Sequence, residues 1–86
     1  MPRFHFHVLD GAALVDDCGV ELRDIAAAKI EAIKFAGAVL SSGSAGEIWQ
    51  GEPWRLVVND SSSPSAGKTY FTLTLSAAEP PGPKMG

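Results

Sequence analysis

The sequence predicts an α+β domain: two layers in the order ββαββ, with one helix packed on one face of a four-stranded, mainly antiparallel sheet. Three observations carry this. Apolar residues alternate at period two in Arg3–Leu9, Trp54–Asn59 and Lys68–Leu75. An alanine-rich stretch behind Asp24 has helical character. The turn residues Asp10-Gly11, Asp16–Gly19, Ser41–Gly43 and Asp60–Gly67 punctuate the chain between these segments.

In the first strand, Phe4, Phe6 and Val8 point to one side and Arg3, His5, His7 and Leu9 to the other. After Asp10-Gly11, Ala12–Val15 is expected to pair back, with Val20 and Leu22 resuming the alternation beyond a turn or bulge. Asp24 is an N-cap: its carboxylate accepts free N–H groups of the first helical turn and its charge suits the helix dipole. The helix is expected over Ile25–Leu40, with Gly43 taking the left-handed C-terminal position. Residues 44–53 form a loop that carries Ile48 and Trp49. Trp54, Leu56 and Val58 line one face of the third strand; Thr69, Phe71, Leu73 and Leu75 line one face of the fourth. The loop between these strands has four serines, a proline and a glycine and is expected to be flexible. The domain is expected to occupy residues 1–76. The tail, 77–86, holds three prolines in the four positions 80–83 and is expected to be disordered.

With 86 residues the chain suffices for one domain. A domain of this size buries roughly 60% of its unfolded surface, and its stability is about 4–13 kcal/mol. The net charge of -3 and the scattered Lys and Arg residues argue against nucleic acid as a partner. No apolar run reaches the roughly 20 residues of a membrane span, and the alternation in the first strand is not that of a signal peptide. The cytoplasm is the expected location. A single cysteine, Cys18, excludes an internal disulfide.

The helix carries two apolar stripes at 100° per residue. Ala26, Ile30, Ile33, Gly37 and Leu40 form one, expected to face the sheet with Gly37 allowing close approach. Ala28, Ala32, Phe35 and Val39 form the other, centred well over 90° away. A flat sheet covers only one of them. The second is expected to meet either the chain's own Ile48 and Trp49 or a partner, a second copy of the chain being the commonest arrangement.

Few residues suggest chemistry. His5 and His7 leave the same strand face about 6.6 Å apart and, with Arg55 and Tyr70, form a candidate metal- or ligand-binding face. Zinc needs three or four ligands, however, and no second pair at ligand spacing is present, so solvent-facing histidines are the plainer reading. Cys18 is a poor nucleophile, because the neighbouring Asp16 and Asp17 raise its pKa. No set of nucleophile, base and oxyanion donors can be assembled, and no Gly-rich phosphate loop exists. The expectation is a non-enzymatic protein without a cofactor, acting as a self-associating or partner-binding module.

The opening Met1-Pro2-Arg3-Phe4-His5-Phe6-His7-Val8, followed by Asp10-Gly11, resembles the start of a large family of short bacterial proteins known only as a domain of unknown function. Asp17-x-Gly19-Val20-Glu21-Leu22, Asp24, Ala27-Ala28-x-x-Glu31-Ala32, Trp54-x-x-x-Val58-x-Asp60 and Phe71-x-Leu73 continue the likeness in order. It covers residues 1–76. The serine-rich loop is longer than the family's compact turn, and Cys18 stands where the family varies. The resemblance implies the fold and no catalytic residues. A hairpin followed by an Ala/Glu-rich helix also resembles small bacterial antitoxins, which implies a protein partner to neutralise; the DNA-binding addition usual in those proteins is absent here.

Overall fold

The computed structural model of the chain describes residues 2–43 and 46–80. The elements are β1 (Arg3–Leu9), β2 (Ala13–Leu14), β3 (Val20–Glu21), α1 (Ile25–Ser42), a 3-10 turn (Ile48–Gln50), β4 (Trp54–Asn59) and β5 (Thr69–Leu75). The architecture is α+β, with one helix over a mainly antiparallel sheet in the order β2-β1-β4-β5. The sheet has five strands rather than four. The expected second strand is two short pieces on the same edge of β1: β2 pairs with Val8 and Leu9, and β3 with Arg3 and Phe4.

The gap between those pieces is closed by Asp16. Its side chain accepts the Phe6 amide at 3.0 Å, so the edge of β1 is satisfied along its length without a continuous partner strand. On its other side β1 meets β4 from His5↔Asn59 to Leu9↔Arg55, and β4 meets β5 from Trp54↔Leu75 to Val58↔Phe71. A bulge next to Asn59 then shifts the register to Asn59↔Thr69. The outer edge of β5 has no neighbour among the described residues.

The helix begins and ends as its cap residues require. Asp24 Oδ1 accepts the Ala27 amide at 2.9 Å. Gly43, at φ 76°, is in the left-handed region and donates its N–H to the carbonyls of Leu40 and Val39.

The core consists of Phe4, Phe6, Val8, Trp54, Leu56 and Val58 from the sheet, Ala28, Ala32 and Ala36 from the helix, and Ile48. Phe35 and Val39 pack against it, with the Phe35 ring 6.2 Å from Trp54. The helix is therefore turned opposite to the expectation. The Ala28/Ala32/Phe35/Val39 stripe lies on the sheet, while Ile30, Ile33 and Leu40 are exposed and Gly37 faces open space. Size matching explains the choice. The sheet supplies Trp54, Phe4 and Leu56, all fully buried. Small alanines let the helix approach those large side chains at interior packing density; a ridge of isoleucines would hold it off.

The expected tail lies outside the described residues from position 81 onward. Residues 77–80 have no regular secondary structure, and Ala77 packs against the core.

Candidate functional site

Two regions collect the residues that the sequence singled out: the open face of β1, with its histidines, and the outward side of α1 beside β5.

On the open face, His5 and His7 are buried, not solvent-facing. Their rings stack with centroids 6.0 Å apart and planes 6° apart. His7 Nδ1 accepts the Asp16 amide at 3.1 Å. The ring proton therefore sits on Nε2, which donates to Asn59 Oδ1 at 2.9 Å and the Ser61 carbonyl at 3.0 Å. His5 Nδ1 donates to the Asp16 carbonyl at 2.8 Å. The two Nδ1 atoms thus play opposite roles, donor in His5 and acceptor in His7.

The histidines are covered by the loops on either side of them. Asp16 anchors one loop: besides Phe6, its carboxylate accepts the amides of Gly19 at 2.9 Å and Cys18 at 3.2 Å. Burial is the largest single influence on that carboxyl and opposes ionisation. The N–H donors of Gly19, Phe6 and Cys18, with the charge of His5, together outweigh it and hold the carboxyl below its ordinary value. Gly19 closes over this site at φ 75°, where a Cβ would lie 2.8 Å from Arg3 Cγ and 2.9 Å from His5 Cε1. Asn59, fully buried, anchors the other loop. Its Oδ1 accepts the Ser61 amide and its Nδ2 donates to the carbonyls of Ser63 and Ala66. The serine-rich loop expected to be flexible is instead tied down at both ends, with Asp60 Oδ1 accepting the Lys68 amide at 2.7 Å.

Both nitrogens of His7 are thus committed to the protein, and only Nε2 of His5 remains, directly beneath Gly19. Arg55 is exposed opposite Leu9. Tyr70 does not join them: the bulge carries it to the helix face, where its ring lies 4.9 Å from that of Phe4. The four residues expected as a ligand face are not brought together. Among the described residues, no three His, Cys, Asp or Glu side chains converge in a way that could hold a metal ion. Cys18 is exposed, and its thiol is raised above its ordinary value by the hydrogen bond to Asp17 and by that residue's charge.

The second region is apolar. Ile30, Ile33 and Leu40 are 58%, 61% and 48% exposed on the outward side of α1. Of the residues expected at an interface, Ala28 and Ala32 are buried, Phe35 and Val39 pack on the core, and Ile48 lies within it. Trp49 is the exception, 65% exposed. Between α1 and β5 runs an open groove of about 370 Å³, lined by Lys29, Ala32, Ile33, Phe71, Thr72 and Leu73. Beside it lies the free edge of β5. The sequence revealed that two helix stripes compete for one sheet. It set Ile30, Ile33 and Leu40 against the sheet, whereas they remain outside, and it did not single out Asn59 beneath the serine loop. An Asn closing a strand before a Ser-rich run is the signal that points to such a loop anchor.

None of the described helices is long and apolar enough to cross a membrane. No curated protein and no solved structure matches the chain. A family model, the domain of unknown function DUF6894, matches residues 3–76, and the chain belongs to that family.

Proposed function

For this member of the DUF6894 family we propose a small, non-enzymatic interaction module that associates with a second copy of itself. The observation that carries the reading is the exposed stripe Ile30, Ile33 and Leu40, set beside a sheet edge that is unpaired among the described residues. Contiguous apolar surface of this kind on a small domain marks a contact site, and two-fold pairing is the commonest way to cover it. The acidic balance of the chain disfavours nucleic acid as the partner. A cytoplasmic setting suits the single unpaired cysteine.

The expected affinity is modest. Fully burying an Ile or Leu side chain contributes about 1.5–3 kcal/mol, so each half-exposed one has roughly 1 kcal/mol left to gain. Three from each copy give about 6 kcal/mol, against an association cost of about 4–15 kcal/mol. Backbone pairing must add to the sum, and the dimer should dissociate on dilution.

The test is native mass spectrometry and sedimentation over a range of concentrations, wild type against Ile33→Asp. Wild type should populate a species of twice 9.0 kDa. Ile33→Asp should be monomeric with unchanged circular dichroism, since the side chain is already in solvent. A wild type that stays monomeric into the millimolar range would remove the reading, as would a variant that associates equally well.

A further inference from the structure

We infer that the seam of this self-association is β5, paired antiparallel with β5 of a second copy about a two-fold axis at Leu73, so that one continuous sheet carries both helices on the same face. The inference rests on the self-association reading and specifies its geometry.

Four observations support it. The first is that β5 is an undefended edge among the described residues. It is seven residues long, and between Thr69 and Leu75 it has neither a charge nor a proline. Sheets protect exposed edges with such residues, or by covering them, because an unpaired row of N–H and C=O groups recruits another strand. The opposite edge of the sheet is covered, by β2, β3 and the Asp16 carboxylate. Lys68 stands only at the entrance of β5.

The second is self-complementarity. The bulge displaces Tyr70 and leaves Phe71–Leu75 as the regular segment. Centred on Leu73, an antiparallel pair sets Phe71 against Leu75, Thr72 against Thr74 and Leu73 against its own mate. Every apolar residue meets an apolar one on the helix side, and every threonine meets a threonine on the open side. Such cross-strand pairs are the unit of sheet stabilisation.

The third is continuity with the helix. A two-fold axis that pairs strands antiparallel stands perpendicular to the sheet, so both copies of α1 lie on one side. Ile33 and Leu73 line the same groove. With Leu73 on the axis, the two Ile33 side chains approach each other above the seam and the two grooves face one another.

The fourth is area. Five paired residues span about 17 Å, and the helix from Ile30 to Leu40 about 15 Å. Edge pairing alone is far below the roughly 800 Å² per partner of a typical interface. Joining it to the helix stripe enlarges the contact, and an interface of this small extent fits a dimer that comes apart on dilution.

Cross-linking tests the register directly. Thr72 and Thr74 are exposed on the open face, so replacing either leaves the core intact. On a Cys18→Ser background, Thr72→Cys is mixed with a tagged Thr74→Cys and oxidised gently. In the proposed register these two positions lie directly opposite, within the roughly 4.4–6.8 Å Cα separation of a disulfide. Each position lies about 8 Å from its own mate, outside that range. The mixed dimer should therefore dominate over both homodimers. Homodimers forming as readily as the mixed one, or no cross-link in a sample whose native mass is still dimeric, would overturn the β5 seam and leave self-association standing. A monomeric native mass for wild type would remove both.

Discussion

Asp16→Asn tests the idea that one carboxylate holds the edge of β1 and the histidine pair together. In the wild type, Oδ2 accepts the Phe6 amide while Oδ1 accepts those of Gly19 and Cys18. An amide side chain offers a single acceptor. Its better orientation keeps the oxygen on Gly19 and Cys18 and turns the NH₂ group onto the Phe6 N–H, donor against donor. A hydrogen bond to a charged acceptor contributes about 1.5–3 kcal/mol; because Asp16 is partly exposed, the lower part of that range applies. The expected loss is about 2 kcal/mol at pH 7, a large share of the roughly 4–13 kcal/mol available to a domain of this length. In melting temperature that is about 8–16 °C. Urea titration followed by circular dichroism and by the fluorescence of buried Trp54 measures it.

The pH dependence supplies a second, signed check. The carboxyl is lowered in the folded state. Its contribution is therefore fully present above the unfolded value of about 3.9 and is lost as pH falls through the lower folded value. The gap between wild type and Asp16→Asn should be constant near neutrality and should close below about pH 4. A loss under about 0.5 kcal/mol, the ordinary scatter of surface substitutions, would refute the reasoning, and so would a gap that persists unchanged in acid.

Three further outcomes are expected. Gly19→Ala combines a left-handed φ with a Cβ pressed onto Arg3 and His5; it should lower stability by about 1–3 kcal/mol, seen as an earlier urea midpoint with an unchanged slope. Phe35→Asp buries a charge against Trp54 and should cost more than about 3 kcal/mol, seen as a much earlier urea midpoint, whereas Ile33→Asp leaves the midpoint nearly unchanged. Asp17→Asn removes the charge that raises the Cys18 thiol and leaves only a neutral, weaker acceptor, so alkylation near pH 8 should accelerate; an unchanged rate would contradict the assigned cause.

Much of the fold was legible because alternation and capping are local. Phe4, Phe6 and Val8, the Trp54–Val58 face, the Asp24 cap and the Gly43 stop all stand where period and propensity place them. The helix rotation was not legible, because counting apolar residues weighs Ile above Ala. The sheet selects by size, and residues as large as Trp54 and Phe4 need a small-residue stripe opposite. The histidines could be read as a same-face pair, but their burial depends on loops held by Asp16 and Asn59, contacts nine or more positions distant in sequence. Tyr70 was misplaced by one bulge, since a period-two count carries no mark of an extra residue.

The two sides of the sheet differ in what they offer a neighbour. Asp16 and the short strands close one of them; among the described residues β5 leaves the other open. In the language of polymer chemistry, a unit with two reactive ends propagates a chain, while a unit with one end terminates it. In the β5-paired dimer proposed above, losing Asp16 and with it the hold on the loop between β2 and β3 would turn a monofunctional unit into a bifunctional one. In the proposed dimer the carboxylate that stabilises the fold would also cap valence, and its loss is then expected to appear as light scattering and fibrous precipitate as well as a lower melting point.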